Sequence, residues 1–263
     1  MSRISKAFEN KKAFIAFVTG GDPDIETTEA LIPQMAAAGA DLIEIGIPFS
    51  DPIAEGVVIQ EADVRALQSG TTTDKLFDMV KRLREKTDVP MVFMTYVNPV
   101  YTYGTEKFTR KCAECGIDGI IVPDVPFEER EEVSGACEAA GIELISMIAP
   151  TSKERIDMIA RQAKGFLYCV SSLGVTGVRS KITTDIGAMV RQVKAVSDIP
   201  CAIGFGIATP EQAQEMASRS DGAIVGSAIV KLIAKYGRDC VKPVCDYVKE
   251  MKAAVVVAEG KTA

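Results

Sequence analysis

The sequence predicts a (β/α)8 TIM barrel, from three observations. Short apolar runs alternate with helical segments through eight units, mostly about 20 to 40 residues apart; no Pro/Ser-rich linker divides them; and 263 residues suit one barrel of this kind. We expect a single domain over residues 1–263, with an extra N-terminal helix and extra helices after strands two and eight. A doubly wound open sheet is the alternative. No internal repeat is evident, so closure rests on the strand count.

The start, up to Phe14, reads as a short polar helix, with no apolar core of a signal peptide. Ala13 to Thr19 is the first strand, ending at Gly20-Gly21-Asp22-Pro23, and Thr27 to Ala38 has helical spacing up to Gly39. The second strand spans Leu42 to Ile47, with helices from Val57 to Gln68 and from Thr73 to Thr87 after it. Pro90 sets off the third strand, Met91 to Tyr96. The segment Val97 to Tyr101 reads as a loop, and a helix from Thr105 ends at Gly116. Gly119 to Val122 is the fourth strand, Glu128 to Ala140 a helix stopped by Gly141, and Glu143 to Ile148 the fifth strand. Ser152 or Thr151 caps the next helix, Phe166 to Val170 is strand six, and a polar loop from Ser171 to Thr184 precedes a helix from Asp185 to Val196. Strand seven is Cys201 to Gly204, with a helix from Pro210 to Arg219; strand eight is Gly222 to Val225. Gly226-Ser227 opens a further helix, and Asp239 to Ala258 is the last.

Glu44 is the residue to explain. Leu42, Ile43, Ile45 and Ile47 read as a strand buried on both faces, where a lone carboxylate is costly. It is either satisfied by hydrogen bonds or stands at a ligand pocket with a raised pKa. The loop beyond it favours the pocket. Pro48, Pro52 and Gly56 stop the strand, and Ser50, Asp51 and Glu55 follow its C-terminal end, where α/β folds keep their sites.

Composition narrows the chemistry. Hydrophobic residues make up 47% and charged ones 25%, and no apolar run is long enough for a membrane span, so we expect a cytoplasmic protein. The net charge of −6 argues against nucleic acid or anionic membrane as main partners. There is no histidine, which removes Ser-His-Asp and Cys-His catalysis and histidine-bound metals. Of seven cysteines, Cys137, Cys169 and Cys201 read as small core residues. Cys112 and Cys115 form a Cys-x-x-Cys pair on a helix, with only the distant Cys240 and Cys245 to complete a zinc set, so no metal is expected.

Glycine-bearing loops follow strands six, seven and eight: Gly174-Val175-Thr176-Gly177, Gly204-Phe205-Gly206 and Gly226-Ser227. Each is weak alone. Together, with a helix starting at Ser227, they match the phosphate cradle of α/β barrels. No lysine lies in a strand to form a Schiff base, and the strand ends offer carboxylates instead: Glu44, Asp51, Glu55 and Asp124. Such groups can break a carbon–carbon bond if the substrate supplies its own electron sink, as an indole ring does. Phe17, Tyr96, Tyr168 and Phe205 are candidates to line an aromatic pocket.

The segments Glu44-Ile-Gly-Ile-Pro-Phe-Ser-Asp-Pro-Ile-Ala-Glu55-Gly, Gly174 to Gly177, Gly204-Phe-Gly206-Ile-Ala-Thr-Pro-Glu-Gln and Gly226-Ser-Ala-Ile-Val resemble the signature segments of the tryptophan synthase alpha chain family, from Phe14 to the last helix. The resemblance implies a lyase that cleaves indole-3-glycerol phosphate into indole and glyceraldehyde 3-phosphate. It further implies no cofactor in this chain, and a pyridoxal-phosphate beta chain as partner in an α2β2 complex. By the same resemblance Glu44 is the acid–base group. Gly177, Gly206, Gly226 and Ser227 contact phosphate, Phe17, Tyr168, Thr176 and Phe205 line the substrate pocket, and the loops at 51–56 and 171–184 are lids. Asp51, Pro52 and Asn98 face the beta chain.

One position departs from the pattern. The family carries aspartate where this chain has Glu55, and Gly-Pro where it has Gly56-Val57; that carboxylate steadies the indole N–H as charge develops. The added methylene displaces the charge by roughly 1 Å, enough to cost up to about a hundredfold in rate. The competing reading is therefore a weakly active or non-catalytic subunit that binds and activates a beta chain.

Overall fold

The computed structural model describes residues 2–170, 185–204 and 206–259. Nine parallel strands form one sheet: β1 Ala13–Thr19, β2 Leu42–Gly46, β3 Met91–Met94, β4 Gly119–Ile121, β5 Glu143–Leu144, β6 Ser146–Ile148, β7 Leu167–Val170, β8 Cys201–Gly204 and β9 Gly222–Val225. Their order is β5-β4-β3-β2-β1-β9-β8-β7-β6. The two ends of that order, β5 and β6, are consecutive in the chain and separated only by Ile145, whose N–H bonds to Ile120 of β4. They are the halves of one interrupted strand, which closes the sheet into the expected barrel of eight strand positions.

Each strand alternates between two apolar layers. Phe14, Ala16, Val18, Ile43, Ile45, Met91, Phe93, Leu167, Cys169, Cys201, Ile203, Ala223 and Val225 pack outward, against the helices. Ile15, Phe17, Leu42, Val92, Met94, Ile121, Tyr168, Val170, Ala202 and Ile224 fill the barrel. The helices that supply the outer wall are α2 Ile25–Ala37, α4 Thr73–Arg84, α6 Thr105–Cys115, α7 Glu131–Ala140, α8 Lys153–Gln162, α9 Ile186–Lys194, α10 Pro210–Ser218 and α12 Val241–Glu259. Their starts follow local capping rules. Asp24, Thr72, Ser152, Asp185 and Thr209 each accept a first-turn backbone N–H.

The additional helices close the barrel's ends. At the bottom, α1 Arg3–Ala7 inserts Ile4 and Ala7 into the interior layer; at the top, α3 Val57–Gln68 brings Ile59 and Ala62, and α11 Ser227–Tyr236 brings Val230. One further helix, α5 Val97–Tyr103, stands where the sequence reads as a loop. Pro99 in its first turn is compatible with a helix, and its start is capped by Asp124, whose carboxylate accepts the Val97 N–H at 3.0 Å. Asp124 is thereby a cap from the loop after β4 rather than a free group at the strand end.

The barrel's lower rim is fastened three times by the same device. The aspartate just before one strand accepts the N–H at or near the start of its neighbour. Asp41 takes Phe14 at 2.8 Å, Asp118 takes Met91 at 2.9 Å and Asp221 takes Cys201 at 2.8 Å. Each is neutralised by a cation: Lys11 and Lys252 on Asp41, Arg84 and Arg3 on Asp118, Lys194 on Asp221. Arg3 ties α1 to the rim in this way, and Lys252 ties α12. Asp118→Ala strips a partner from the Met91 N–H and from the half-buried Arg84 guanidinium, so a loss of about 2–4 kcal/mol in the urea midpoint assay is expected, with a smaller loss for Asp118→Asn.

Candidate active site

Glu44 projects into the barrel at the upper part of β2, beside Phe17 of β1 and Val92 of β3 in the strand register. It is 0% exposed, and neither carboxyl oxygen has a hydrogen-bond partner among the described residues. Burial pushes its carboxyl up to about 8, and the nearby charge of Glu55 adds to the shift. At neutral pH Glu44 therefore holds its proton.

Glu55 comes from the loop between β2 and α3 and is 6% exposed. Two contacts fix the loop around it. The Ala54 N–H donates to the Tyr96 hydroxyl at 3.1 Å, and the Gln60 side-chain amide donates to the Glu55 carbonyl at 2.7 Å. The Tyr96 hydroxyl in turn is hydrogen-bonded to the Glu55 carboxylate, and burial, followed by the Glu55 charge, pushes the phenol well above its usual range. Burial, then the charges of Glu44 and Glu55, push the Tyr168 phenol of β7 in the same direction.

Two glycines make room for the aromatic walls. A side chain at Gly46 would come within 2.8 Å of the Phe17 ring, and one at Gly204 within 2.5 Å of the Tyr168 hydroxyl. The rings lie over bare backbone at the tops of β2 and β8. Beyond β8 and β9, Gly206 has a φ of +83°, and Gly226 caps the ten-residue α11, whose first residue is Ser227. The amides at this helix start face an anion favourably. Thr176, Gly177 and Phe205 lie outside the described residues.

Asp51 is exposed and accepts the Ser50 hydroxyl at 2.5 Å; Pro52 is half-buried. Asn98 is exposed on α5 and lines, with Pro48 and Phe49, a hollow of about 300 Å³ beside the loop. Two buried acids on this side escaped the sequence reading. Asp22, after β1, is held in a two-point pair by Arg65 of α3, both contacts at 2.8 Å. Asp63 of α3 is 5% exposed, and its signal was present: it shares the buried stripe of Ile59, Ala62 and Ala66. The seven cysteines are all unbridged and buried, and among the described residues no group of His, Cys, Asp or Glu could hold a metal ion.

The profile of the tryptophan synthase alpha chain family matches residues 4–256. The chain belongs to this family. A tryptophan synthase alpha chain from Lacticaseibacillus casei is 46% identical over 255 residues, covering 97% of this chain and 96% of that one. One from Caldanaerobacter subterraneus is 48% identical, with 97% and 98% covered. Among solved structures, tryptophan synthase subunit alpha from Legionella pneumophila superposes with a TM-score of 0.88 at 37% identity, over 97% of this chain and 98% of that one. A chain of the tryptophan synthase complex from Pyrococcus furiosus gives 0.85 at 34%, over 92% and 99%. The resemblance in the signature segments is borne out, and with it the barrel, the lyase class and the reaction: cleavage of indole-3-glycerol phosphate in tryptophan biosynthesis.

Proposed function

We propose that Glu44 and Glu55 carry this cleavage between them, within one barrel domain over residues 1–263 that needs no cofactor of its own. Glu44, protonated at neutral pH, gives its proton to C3 of the indole ring. The ring nitrogen becomes cationic, and the Glu55 carboxylate, set by Tyr96, stabilises its N–H as that charge develops. Glu44, now a carboxylate, takes the proton from the hydroxyl on the carbon bonded to the ring. The carbon–carbon bond breaks, its electron pair returns to the ring nitrogen through C2, and indole and glyceraldehyde 3-phosphate result, with Glu44 protonated again. Phe17, Tyr168, Thr176 and Phe205 bound the indole pocket, and Gly177, Gly206, Gly226 and Ser227 hold the phosphate.

The observation that supports this reading most is the Glu44 carboxyl, fully buried, without a hydrogen-bond partner among the described residues and beside a second acid. A structural ion pair would have supplied a cation to one of its oxygens.

The partner in this reading is a pyridoxal-phosphate beta chain in an α2β2 assembly, met through Asp51, Pro52 and Asn98. The hollow shared by Asn98, Pro48 and Phe49 would let such contacts act on the loop that carries Glu55. Cytoplasmic residence fits too, as no helix among the described residues is long and apolar enough to cross a membrane. The test is release of indole from indole-3-glycerol phosphate by the purified chain, alone and with a beta chain. Turnover that rises on addition of the partner supports the proposal; no indole under either condition defeats it.

A further inference from the structure

Helix α3 begins two residues after Glu55, yet little in its own sequence fixes where it sits. Its buried apolar stripe is Ile59 with two alanines, Ala62 and Ala66, whereas the outer-wall helix α4 buries five larger side chains between Leu76 and Leu83. The smaller stripe stabilises its seat far less. The N-cap, Gly56, makes no side-chain cap hydrogen bond, and the first turn holds no acid. The stronger hold is further along. Arg65 donates through Nε and Nη2 to the two carboxyl oxygens of Asp22, each at 2.8 Å, and the Asp22 side chain is 0% exposed. The turn after β1 that carries Asp22 is itself tied down. The Asp22 N–H donates to the Thr19 carbonyl at 3.2 Å and the Gly21 N–H to the Thr28 hydroxyl at 3.0 Å, while a side chain at Gly21 would meet the Thr71 hydroxyl at 2.0 Å. A two-point fork fixes the angle between its partners as well as their distance, whereas desolvation cancels much of the worth of a buried pair as a stabiliser. From Arg65 the placement runs back along α3 by about 7.5 Å to Gln60, whose amide holds the Glu55 carbonyl at 2.7 Å.

We propose that Arg65 is a positioning residue for Glu55: forked onto Asp22, it sets the seat of α3 on the barrel, and α3, through Gln60, sets where the Glu55 carboxylate stands. The inference rests on the role given to Glu55 above, and gives a part in the cleavage to an ion pair outside the acid–base scheme. Lysine at this position keeps the charge but replaces the planar fork by a single point, about which α3 is free to tilt. A displacement of about 1 Å at Glu55 then costs about tenfold or more in rate.

The experiment compares Arg65→Lys and Asp22→Asn with Asp118→Ala, which breaks the Arg84–Asp118 pair at the lower rim. Each is measured for its urea midpoint, for kcat and KM, and for amide exchange at Ala54, Ile59 and Gln60, whose N–H groups bond to the Tyr96 hydroxyl and the Gly56 carbonyl. Arg65→Lys and Asp22→Asn are expected to lower kcat about tenfold with KM within about threefold, and to speed exchange at the three amides about tenfold. Asp118→Ala is expected to lose at least as much stability while keeping wild-type kcat and wild-type exchange there. In a Glu55→Gln background, Arg65→Lys should lower kcat by no more than about a further twofold, because the charge it positions is gone. Equal falls in kcat for the upper and lower pairs at matched stability would overturn the proposal. So would undiminished kcat in a folded Arg65→Lys protein, or the full tenfold cost persisting beside Glu55→Gln. Faster exchange in the Arg65 and Asp22 variants, together with a fully active Glu55→Gln, would uphold the seating of α3 and overturn the role of Glu55 instead.

Discussion

Glu44→Gln is expected to lose indole formation by about 10³-fold at pH 7 while becoming more stable than wild type, because the same burial produces both effects. Gln keeps the shape and hydrogen-bonding size of the side chain but can neither give nor take the proton. The stability gain follows from linkage. The folded carboxyl is raised to about 8 from an ordinary 4.5, so the folded chain binds the proton more tightly than the unfolded one. Its contribution is therefore intact below pH 4.5 and is lost progressively as pH rises to 8. At pH 7 the deficit is about 3 kcal/mol, on the conversion of about 1.4 kcal/mol per pH unit. Denaturant midpoints of the two proteins should diverge in favour of Gln between pH 5 and pH 8, and a gap independent of pH would contradict the assignment. Since the first step uses protonated Glu44, wild-type kcat/KM should also fall as pH climbs through about 8.

Glu55→Gln should lower kcat by about 10²–10³-fold, through loss of the charge that meets the cationic ring nitrogen. The shorter Glu55→Asp is the sharper test, because the resemblance in the signature segments implies an aspartate at this position. In this chain the loop is fitted to glutamate: the Ala54 N–H rests on the Tyr96 hydroxyl, the Gln60 amide holds the Glu55 carbonyl, and Tyr96 reaches the carboxylate itself. Withdrawing that carboxylate by roughly 1 Å should lower kcat about ten- to a hundredfold, with KM less affected. A rise in kcat would mean that Glu55 handicaps the enzyme and would favour the reading of a subunit kept for activating its partner.

Much of this architecture was legible because it is local. The strands announce themselves as apolar runs broken by Gly or Pro, and Glu44 stands out as a charge in the middle of such a run. Helix starts at Asp24, Thr72 and Thr209 carry their own caps. What was hidden depends on contacts between distant segments. The helix at Val97 is capped by a carboxylate 27 residues away, so its sequence alone resembles a loop. Asp63 resembles any polar helix residue until α3 is laid across the barrel mouth, which the stripe of Ile59, Ala62 and Ala66 records only weakly. The interruption of the fifth strand at Ile145 likewise belongs to barrel closure, since its N–H is shared with β4 while the next residues pair with β7.

The most direct measurement is the titration of Glu44 itself, followed by its carboxyl signal in infrared difference or carbon NMR spectra, with Glu44→Gln to assign the band. A buried acid that enters catalysis with its proton on should titrate with a midpoint near 8. A midpoint in the ordinary glutamate range, roughly 4 to 5, would leave Glu44 ionised at neutral pH and contradict the account.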